Sequence, residues 1–365
     1  MADKRDIKGL YRDELAKLCE PAYRADQILQ WVYEKQADSF AAMTNLPAPV
    51  REKLSADFEL NAVQSVHTRH ATDTTEKFLF ELRDHALIET VLIPATPGLT
   101  SQSDRHTVCV STQVGCAYGC RFCASGLDGV RRNLTAAEIV DQVLQVQKIT
   151  GERVSNLVFM GMGEPLANYE NVLRSLRILN APWALGIGAR KITVSTVGLA
   201  PRIRQLADEP MQIRLAISLH GATDAVRSQI MPVSKKHPLT ELLEACDYYV
   251  NTRHRMLTFE YILIENVNDM LDQAYKLASL ARQLHAKVNL IPYNPVEGLP
   301  WKRPDRERCK MFQHTLKTAG VTATLRTEKG TDIAAACGQL RLQREKSPAS
   351  KLPITGSDLA GDGDF

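Results

Sequence analysis

The sequence has almost no excess charge of either sign: 45 Lys and Arg stand against 42 Asp and Glu, a net of +3 over 365 residues. Whole-chain basicity therefore gives no argument for a nucleic-acid partner, and any such argument must rest on local charge. Aromatic residues are scarce at 6%, but 44% hydrophobic and 24% charged residues are ordinary globular usage, which excludes collagen-like, coiled-coil and disordered classes. No uninterrupted apolar run approaches the roughly 18 residues that a membrane helix needs. The opening MADKRDIKGLYRDELAKL lacks the apolar centre of a secretory leader. A cytoplasmic, reducing location is expected, where grouped cysteines bind metal or do chemistry more often than they form bridges. The sequence also lacks self-similarity at a period of about 20–50 residues, which excludes solenoids and propellers.

At about 100–200 residues per domain, the length predicts two or three domains. Residues 1–60 read as a small helical domain: YRADQILQWVYEK puts Ile28, Leu29 and Val32 on one face, and MTNLPAPVREKL supplies a Pro-marked turn before a second helical stretch. With 9 basic and 11 acidic residues, this module is not itself a basic patch. From 61 to 105 the short runs VQSVHTRH, EKFLFEL and ALIETVLIP predict a small linking β segment. From 106 to 342 apolar β-branched runs alternate with helical patterns, the signature of βα units and a parallel sheet. Strands are expected at 107–113, 154–160, 190–196, 213–219, 257–264, 287–293 and 321–327. Between them, Thr135 and Glu138 form a capping box, and Ile139, Val140, Val143 and Leu144 make a buried helical stripe. The fold class is α/β: a partial or complete β/α barrel, with a doubly wound open sheet as the alternative. In either fold the loops after the strands carry the site. The tail, 343–365, mixes Ser, Pro, Gly and Asp without periodicity and is expected to be disordered.

Eight cysteines divide unevenly along the chain. Cys116, Cys120 and Cys123 crowd into GCAYGCRFC as Cys-x3-Cys-x2-Cys, on the loop after the first strand of the β/α part, whereas Cys19, Cys109, Cys246, Cys309 and Cys337 stand alone. Thiolates this close in sequence can grip one soft metal centre. A structural zinc site wants four protein ligands, typically as two separated pairs, and no second pair follows. Three thiolates suit a 4Fe-4S cluster with one iron left open to a small molecule; zinc or unliganded thiols are the alternatives.

Other residues carry weaker signals. MGMGEP follows a strand, its glycines let backbone approach a ligand, and Glu164 can accept from an ammonium group, although a plain strand-to-helix turn fits as well. Ser195 ends one strand, and Ser218, Leu219 and His220 end the next, so they face one mouth of a β/α barrel. A lone His at a strand end is more often a hydrogen-bonded structural residue. Asn294, in IPYNP, follows a further strand, where a Pro-flanked turn amide is the plainer reading. By composition alone Cys109, on an apolar strand, and Cys337, in GTDIAAACG, read as buried small residues, and Glu89 as a solvent-side carboxylate. Cys19, Cys246 and Cys309 have no context beyond structure.

Taken in order over roughly residues 8–342, the motifs IETVLIP, CVSTQVGCAYGCRFC, VRRNLTAAEIVDQV, VFMGMGEPL, KITVSTVG, AISLHG, LIPYNP and RTEKGTDIAAACGQL resemble the bacterial dual-specificity RNA methyltransferases, the RlmN family of radical S-adenosylmethionine enzymes. The resemblance implies methylation of carbon 2 of an adenine in 23S ribosomal RNA and of an adenine in transfer RNA. It implies one 4Fe-4S cluster per chain on Cys116, Cys120 and Cys123, with S-adenosylmethionine on the open iron and two such molecules used per turnover. Gly163, Glu164, Ser195, Ser218, Leu219, His220 and Asn294 become cofactor-binding residues. Cys337 becomes the methyl carrier, an S-methylcysteine intermediate from which a 5′-deoxyadenosyl radical removes hydrogen before addition to the base. Cys109 becomes the resolving thiol, through a transient disulfide with Cys337, and Glu89 the proton acceptor that restores aromaticity. A reducing electron donor, flavodoxin-like, is expected; the sequence makes no prediction of oligomeric state.

Two other classes fit the same residues. A sister family (Cfr-like) methylates carbon 8 of the same ribosomal adenine with the same cysteine set. A non-catalytic RNA-binding protein with a structural cluster is the other, and it leaves Cys109, Cys337 and Glu89 without purpose. RNA phosphates are expected to meet residues 190–236 and 301–330, each with 8 basic against 3 acidic residues, in contacts that weaken with salt, although solvated helix faces are the bland reading. Trp301 and Tyr293 are candidates to stack on a base splayed out for modification.

Overall fold

The structure, a computed structural model, describes residues 4–95, 105–296 and 298–326; Cys337 and the tail 343–365 lie outside them. The N-terminal module is helical, with α1 (Arg12–Leu18), α2 (Arg24–Leu29) and α3 (Ala48–Asp57) gathered by a parallel bridge between β1 (Arg5–Asp6) and β2 (Phe58–Glu59). Ile28, Leu29 and Val32 are buried together, as their shared face requires.

Strands β3 (Val63–His70), β4 (Glu76–Leu82) and β5 (Leu87–Pro94) form an antiparallel wing. β5 pairs antiparallel with β6 (His106–Cys109), so the wing expected as a linking β segment shares one sheet with the β/α part. The apolar patterning of EKFLFEL and ALIETVLIP marks strands without saying whose edge they join. A short ribbon of β7 (Gln113–Gly115) and β8 (Val130–Asn133) stands apart at the root of the cysteine loop.

From β6 the sheet runs parallel through β9 (Asn156–Phe159), β10 (Ile192–Thr196), β11 (Arg214–Ser218), β12 (Thr258–Leu263), β13 (Lys287–Pro292) and β14 (Ala323–Leu325). Each pairs with its predecessor in chain order. That order is the wall of a barrel, because a doubly wound sheet reverses direction at a switch point. No pairing joins β14 to the far edge among the described residues, so the barrel is partial. Six of these strands fall inside the expected stretches and β6 begins one residue before its own, because continuous apolar β-branched runs mark strands covered on both faces.

Helices α4 (Ala136–Thr150), α5 (Tyr169–Asn180), α6 (Ala200–Asp208), α7 (Asp224–Ile230), α8 (Leu239–Arg253), α9 (Leu271–Gln283) and α10 (Arg306–Thr318) connect the parallel strands. α4 shows why the pattern is legible: Thr135 Oγ1 accepts from Glu138 N (3.2 Å), Glu138 accepts from Thr135 N (2.8 Å), and Gly151 at φ 71° ends the helix. The N-terminal module docks on this helix. Lys8 Nζ lies 2.7 Å from Asp141 Oδ1 with both residues buried, and Asp141 Oδ2 accepts from the N–H groups of Ala62 (2.8 Å) and Val63 (3.0 Å). No helix among the described residues is long and apolar enough to cross a membrane.

Candidate active site

The site grows from the ends of β6 and β9. Beyond β6 the chain crosses Gly161 so closely that a Cβ there would lie 2.6 Å from the Val110 carbonyl, and Gly161 N donates to Val110 O at 3.0 Å. Gly163 adopts φ +96°, and a Cβ on it would sit 2.5 Å from Gln113 Cβ. The Gln113 side chain accepts from Glu164 N (2.8 Å) and donates to Asn133 (2.7 Å). Both glycines of MGMGEP are thus needed for close packing of this turn against the root of the cysteine loop.

The cysteine loop is held from several sides. Cys116 N donates to Gly129 O (2.8 Å), Arg121 N to Ile230 O at the end of α7 (2.8 Å), and Trp301 Nε1 to Arg121 O (2.6 Å). Its three cysteines share one cavity with Gly163, Glu164, Ser195, Ser218 and His220, at the carboxyl ends of the parallel strands. The cavity encloses about 250 Å³ and opens partly to solvent. Burial pushes the Cys116 thiol up to about 12 and raises Cys120 and Cys123 as well, so binding a metal here must displace protons.

The donor set fits a polynuclear cluster better than one ion. All three thiols are free of disulfides, yet among the described residues no three His, Cys, Asp or Glu side chains gather closely enough to hold a single metal ion. A cluster suits such spacing, since each thiolate bonds a different iron. Beside the thiols, Glu164 accepts from Leu166 N (3.0 Å) and Val197 N (2.8 Å), and burial still pushes its carboxyl up to about 7. Ser195 and Ser218 hydroxyls meet at 3.5 Å across β10 and β11.

His220 is both a wall of the cavity and a structural residue. Its Nδ1 accepts from Ile262 N (3.0 Å), its carbonyl accepts from Asn268 (2.8 Å), and its ring meets Phe122 edge-on at 4.8 Å. Burial pulls its pKa down to about 3, so the ring is neutral and carries its proton on Nε2. Leu219 and Asn294 do not line the cavity: Leu219 is fully buried and contributes backbone hydrogen bonds, and Asn294 lies half-buried beyond β13.

Glu89 and Cys109 sit outside this cavity, on neighbouring strands β5 and β6. Glu89 is 2% exposed with Oε2 2.7 Å from Lys77 Nζ, which corrects the solvent-side reading of that residue. Burial pushes the Cys109 thiol up to about 11, with Lys77 and Arg326 opposing the shift and Glu89 adding to it. Cys19, Cys246 and Cys309 are buried in the core. Tyr293 is not available for stacking, because it is 1% exposed and packed in the core; Trp301 is half-buried and tied to the cysteine loop. The basic segments are also thinner than their counts suggest: Arg227 is fully buried, Arg308 pairs with Asp269 and Lys310 with Glu307.

Sequence reasoning missed Glu260 and Arg326, which line the cavity from β12 and just past β14. Glu260 accepts from Asn289 at 2.7 Å. A signal existed in LTFEYILI, since a lone carboxylate inside a continuous apolar strand is rarely buried without purpose.

A family model of the Radical SAM superfamily matches residues 110–278, and one described as the ribosomal RNA large subunit methyltransferase N-terminal domain matches residues 7–60. The probable dual-specificity RNA methyltransferase RlmN 3 of Opitutus terrae is 56% identical over 338 residues, covering 90% of each chain. The chain belongs to the RlmN family. A second RlmN relative, from Akkermansia muciniphila, is 51% identical over 90% of this chain and 92% of its own. The crystal structure of a radical SAM methyltransferase from Sphaerobacter thermophilus superposes with a TM-score of 0.86 at 44% identity, covering 92% of this chain and 98% of that one. As a radical SAM family, RlmN carries an iron–sulfur cluster and S-adenosylmethionine, and the donors lining the cysteine cavity fit both.

Proposed function

We propose that the chain is an S-adenosylmethionine-dependent RNA methyltransferase that modifies carbon 2 of an adenine in 23S ribosomal RNA and in transfer RNA. The observation that carries the proposal is one cavity, at the ends of parallel strands, that gathers three free cysteines with Glu164, Ser195, Ser218 and His220. When bound, the cluster and S-adenosylmethionine supply reductive radical chemistry and the methyl group. The chain's residues do the rest. Cys116, Cys120 and Cys123 would hold the cluster through three thiolates. Glu164 accepts from the cofactor's ammonium group while two backbone N–H donors fix its orientation. The neutral His220 ring offers an Nε2–H donor on the same wall.

Glu89 takes the proton lost from the adenine ring, and the buried Lys77 ammonium lies 2.7 Å from its carboxylate. Cys337, outside the described residues, accepts the methyl group, and Cys109 resolves the protein–RNA adduct by pairing with Cys337. The domain reading is a helical module at 1–60, the β segment at 61–105 and the catalytic barrel from 106 to 342, working in the cytoplasm with a flavodoxin-like reductant. The test is nucleoside analysis of ribosomal and transfer RNA from cells with and without the gene. Loss of 2-methyladenosine from both RNAs is expected; loss of an 8-methyl product assigns the chain to carbon 8 instead, and unchanged RNA refutes both.

A further inference from the structure

Arg227 and Lys77 are the two charged side chains among the largest fully buried residues, and the roles assigned so far leave Arg227 without a function. Lys77 has a carboxylate, Glu89, at 2.7 Å. The Arg227 guanidinium instead donates to three backbone carbonyls: Nη2 to Val197 O (2.6 Å), Nε to Leu219 O (3.2 Å) and Nη1 to His237 O (3.2 Å). Among the described residues no carboxylate forms an ion pair with it. A buried cation satisfied only by carbonyls keeps its full positive charge, at a cost that such sites accept for a reason.

The carbonyls are informative because of where they lie. Val197 follows β10 immediately after Ser195 and Thr196, and its N–H donates to Glu164 (2.8 Å). Leu219 follows β11 immediately after Ser218 and precedes His220. Arg227 therefore ties together the two strand exits that carry four of the cavity's polar residues. Two glycines allow the close approach: a Cβ on Gly221 would meet the Arg227 backbone at 2.7 Å, and one on Gly198 would meet the Leu242 side chain at 3.0 Å and Arg227 Nη2 at 3.1 Å. The same helix, α7, accepts Arg121 N of the cysteine loop at the Ile230 carbonyl (2.8 Å), so the helix that carries Arg227 is also tied to that loop.

We propose that Arg227 is a positioning residue of the cofactor site, whose guanidinium fixes the β10 and β11 exits in binding register and sets a buried positive charge against the cysteine loop. This rests on the reading of that cavity as the cluster and S-adenosylmethionine site. Bringing a cation near the loop favours whichever state of the cluster carries more negative charge, which is the reduced one.

The test uses full-length protein reconstituted anaerobically with iron and sulfide, in wild type, Arg227→Lys and Arg227→Met. The readouts are the cluster midpoint potential, followed by electron paramagnetic resonance, and S-adenosylmethionine affinity from the change in that signal. Arg227→Met is expected to lower the potential by about 59 mV or more, a tenfold change in a one-electron equilibrium, and to weaken cofactor binding at least tenfold. Arg227→Lys keeps the charge but loses the three-way fork, so it is expected to hold the potential near wild type while weakening the cofactor. Should Arg227→Met fail to fold, the lysine variant decides alone: wild-type affinity, or a potential shifted as far as affinity falls, overturns the proposal. Wild-type values in Arg227→Met overturn it as well. A wild-type protein that takes up no cluster refutes the underlying cavity reading and the inference with it.

Discussion

Replacing Lys8 with Met tests how the N-terminal module is fastened to the barrel. The Lys8 ammonium and Asp141 carboxylate are both buried and 2.7 Å apart. Met matches the aliphatic stem and removes the charge, so the variant leaves a buried carboxylate without its cation. Breaking a buried pair in this way costs about 3–5 kcal/mol. Asp141 keeps three N–H donors, from Ala62, Val63 and the Gln145 amide (3.3 Å), and these hold the loss near the lower end, about 3 kcal/mol. Urea unfolding at neutral pH reads this as a lower midpoint at unchanged slope. Trp183 of the barrel lies 6.0 Å from Tyr33 of the module, edge to face, so tryptophan fluorescence also reports undocking. In a double-mutant cycle with Asp141→Asn, a coupling of about 1–3 kcal/mol is expected. A loss under about 0.5 kcal/mol, or additive single effects, would show that the pair is incidental and that apolar packing alone holds the joint.

Further expectations follow from other sites. Burial pushes Asp6 up to about 6 from a usual 3.8, so the native state holds a proton that the unfolded chain has lost between those values; stability therefore falls as pH rises from 4 through 6. Asp6→Asn keeps the cap to Lys8 N (2.8 Å) and should flatten that slope and stabilise the protein at pH 7 by about 1–3 kcal/mol; an unchanged pH profile of thermal unfolding counters it. Gly161→Ala forces a methyl group to within 2.6 Å of the Val110 carbonyl and is expected to cost about 1–3 kcal/mol and to impair S-adenosylmethionine binding; binding at wild-type affinity refutes the close-crossing argument. Ala at Cys116, Cys120 or Cys123 should each abolish the brown chromophore and bound iron, measured after anaerobic reconstitution, and retained iron removes that cysteine from the ligand set. Replacing Cys109 should trap protein covalently attached to RNA on denaturing gels, whereas free turnover points to another resolving group.

Much of the architecture was legible because parallel strands have an unambiguous signature. KITVST and IRLAISL are short, β-branched and continuous, and they end on the residues that line the cavity. The grouped cysteines were legible for the same reason: their spacing is local. What escaped was long-range. Nothing in EKFLFEL announces that β4 extends the barrel sheet, because strand pairing is set by partners elsewhere in the chain. Arg227 was counted as a surface charge because a cation bound by distant backbone carbonyls leaves no trace in sequence. Tyr293 was a stacking candidate because its ring is equally suited to a core, where its hydroxyl accepts from Val296 N (3.3 Å). Glu260 was hidden by its own strand, whose apolar neighbours drew attention away from the one charge among them.

The strand order of the sheet also bears on how the protein is made. Every parallel strand pairs with one that precedes it in the chain, and β6 pairs back onto β5 and the antiparallel wing. A growing polypeptide can therefore lay down the wing first, from hairpins whose contacts are close in sequence, and each later strand finds its template already formed. Each closure spans only the segment between one parallel strand and the next, which favours assembly of an otherwise non-local topology. The cavity gains its last described wall residue, Arg326, only after the final parallel strand has been added. Synthesis thus delivers the cysteine loop well before the pocket around it is complete.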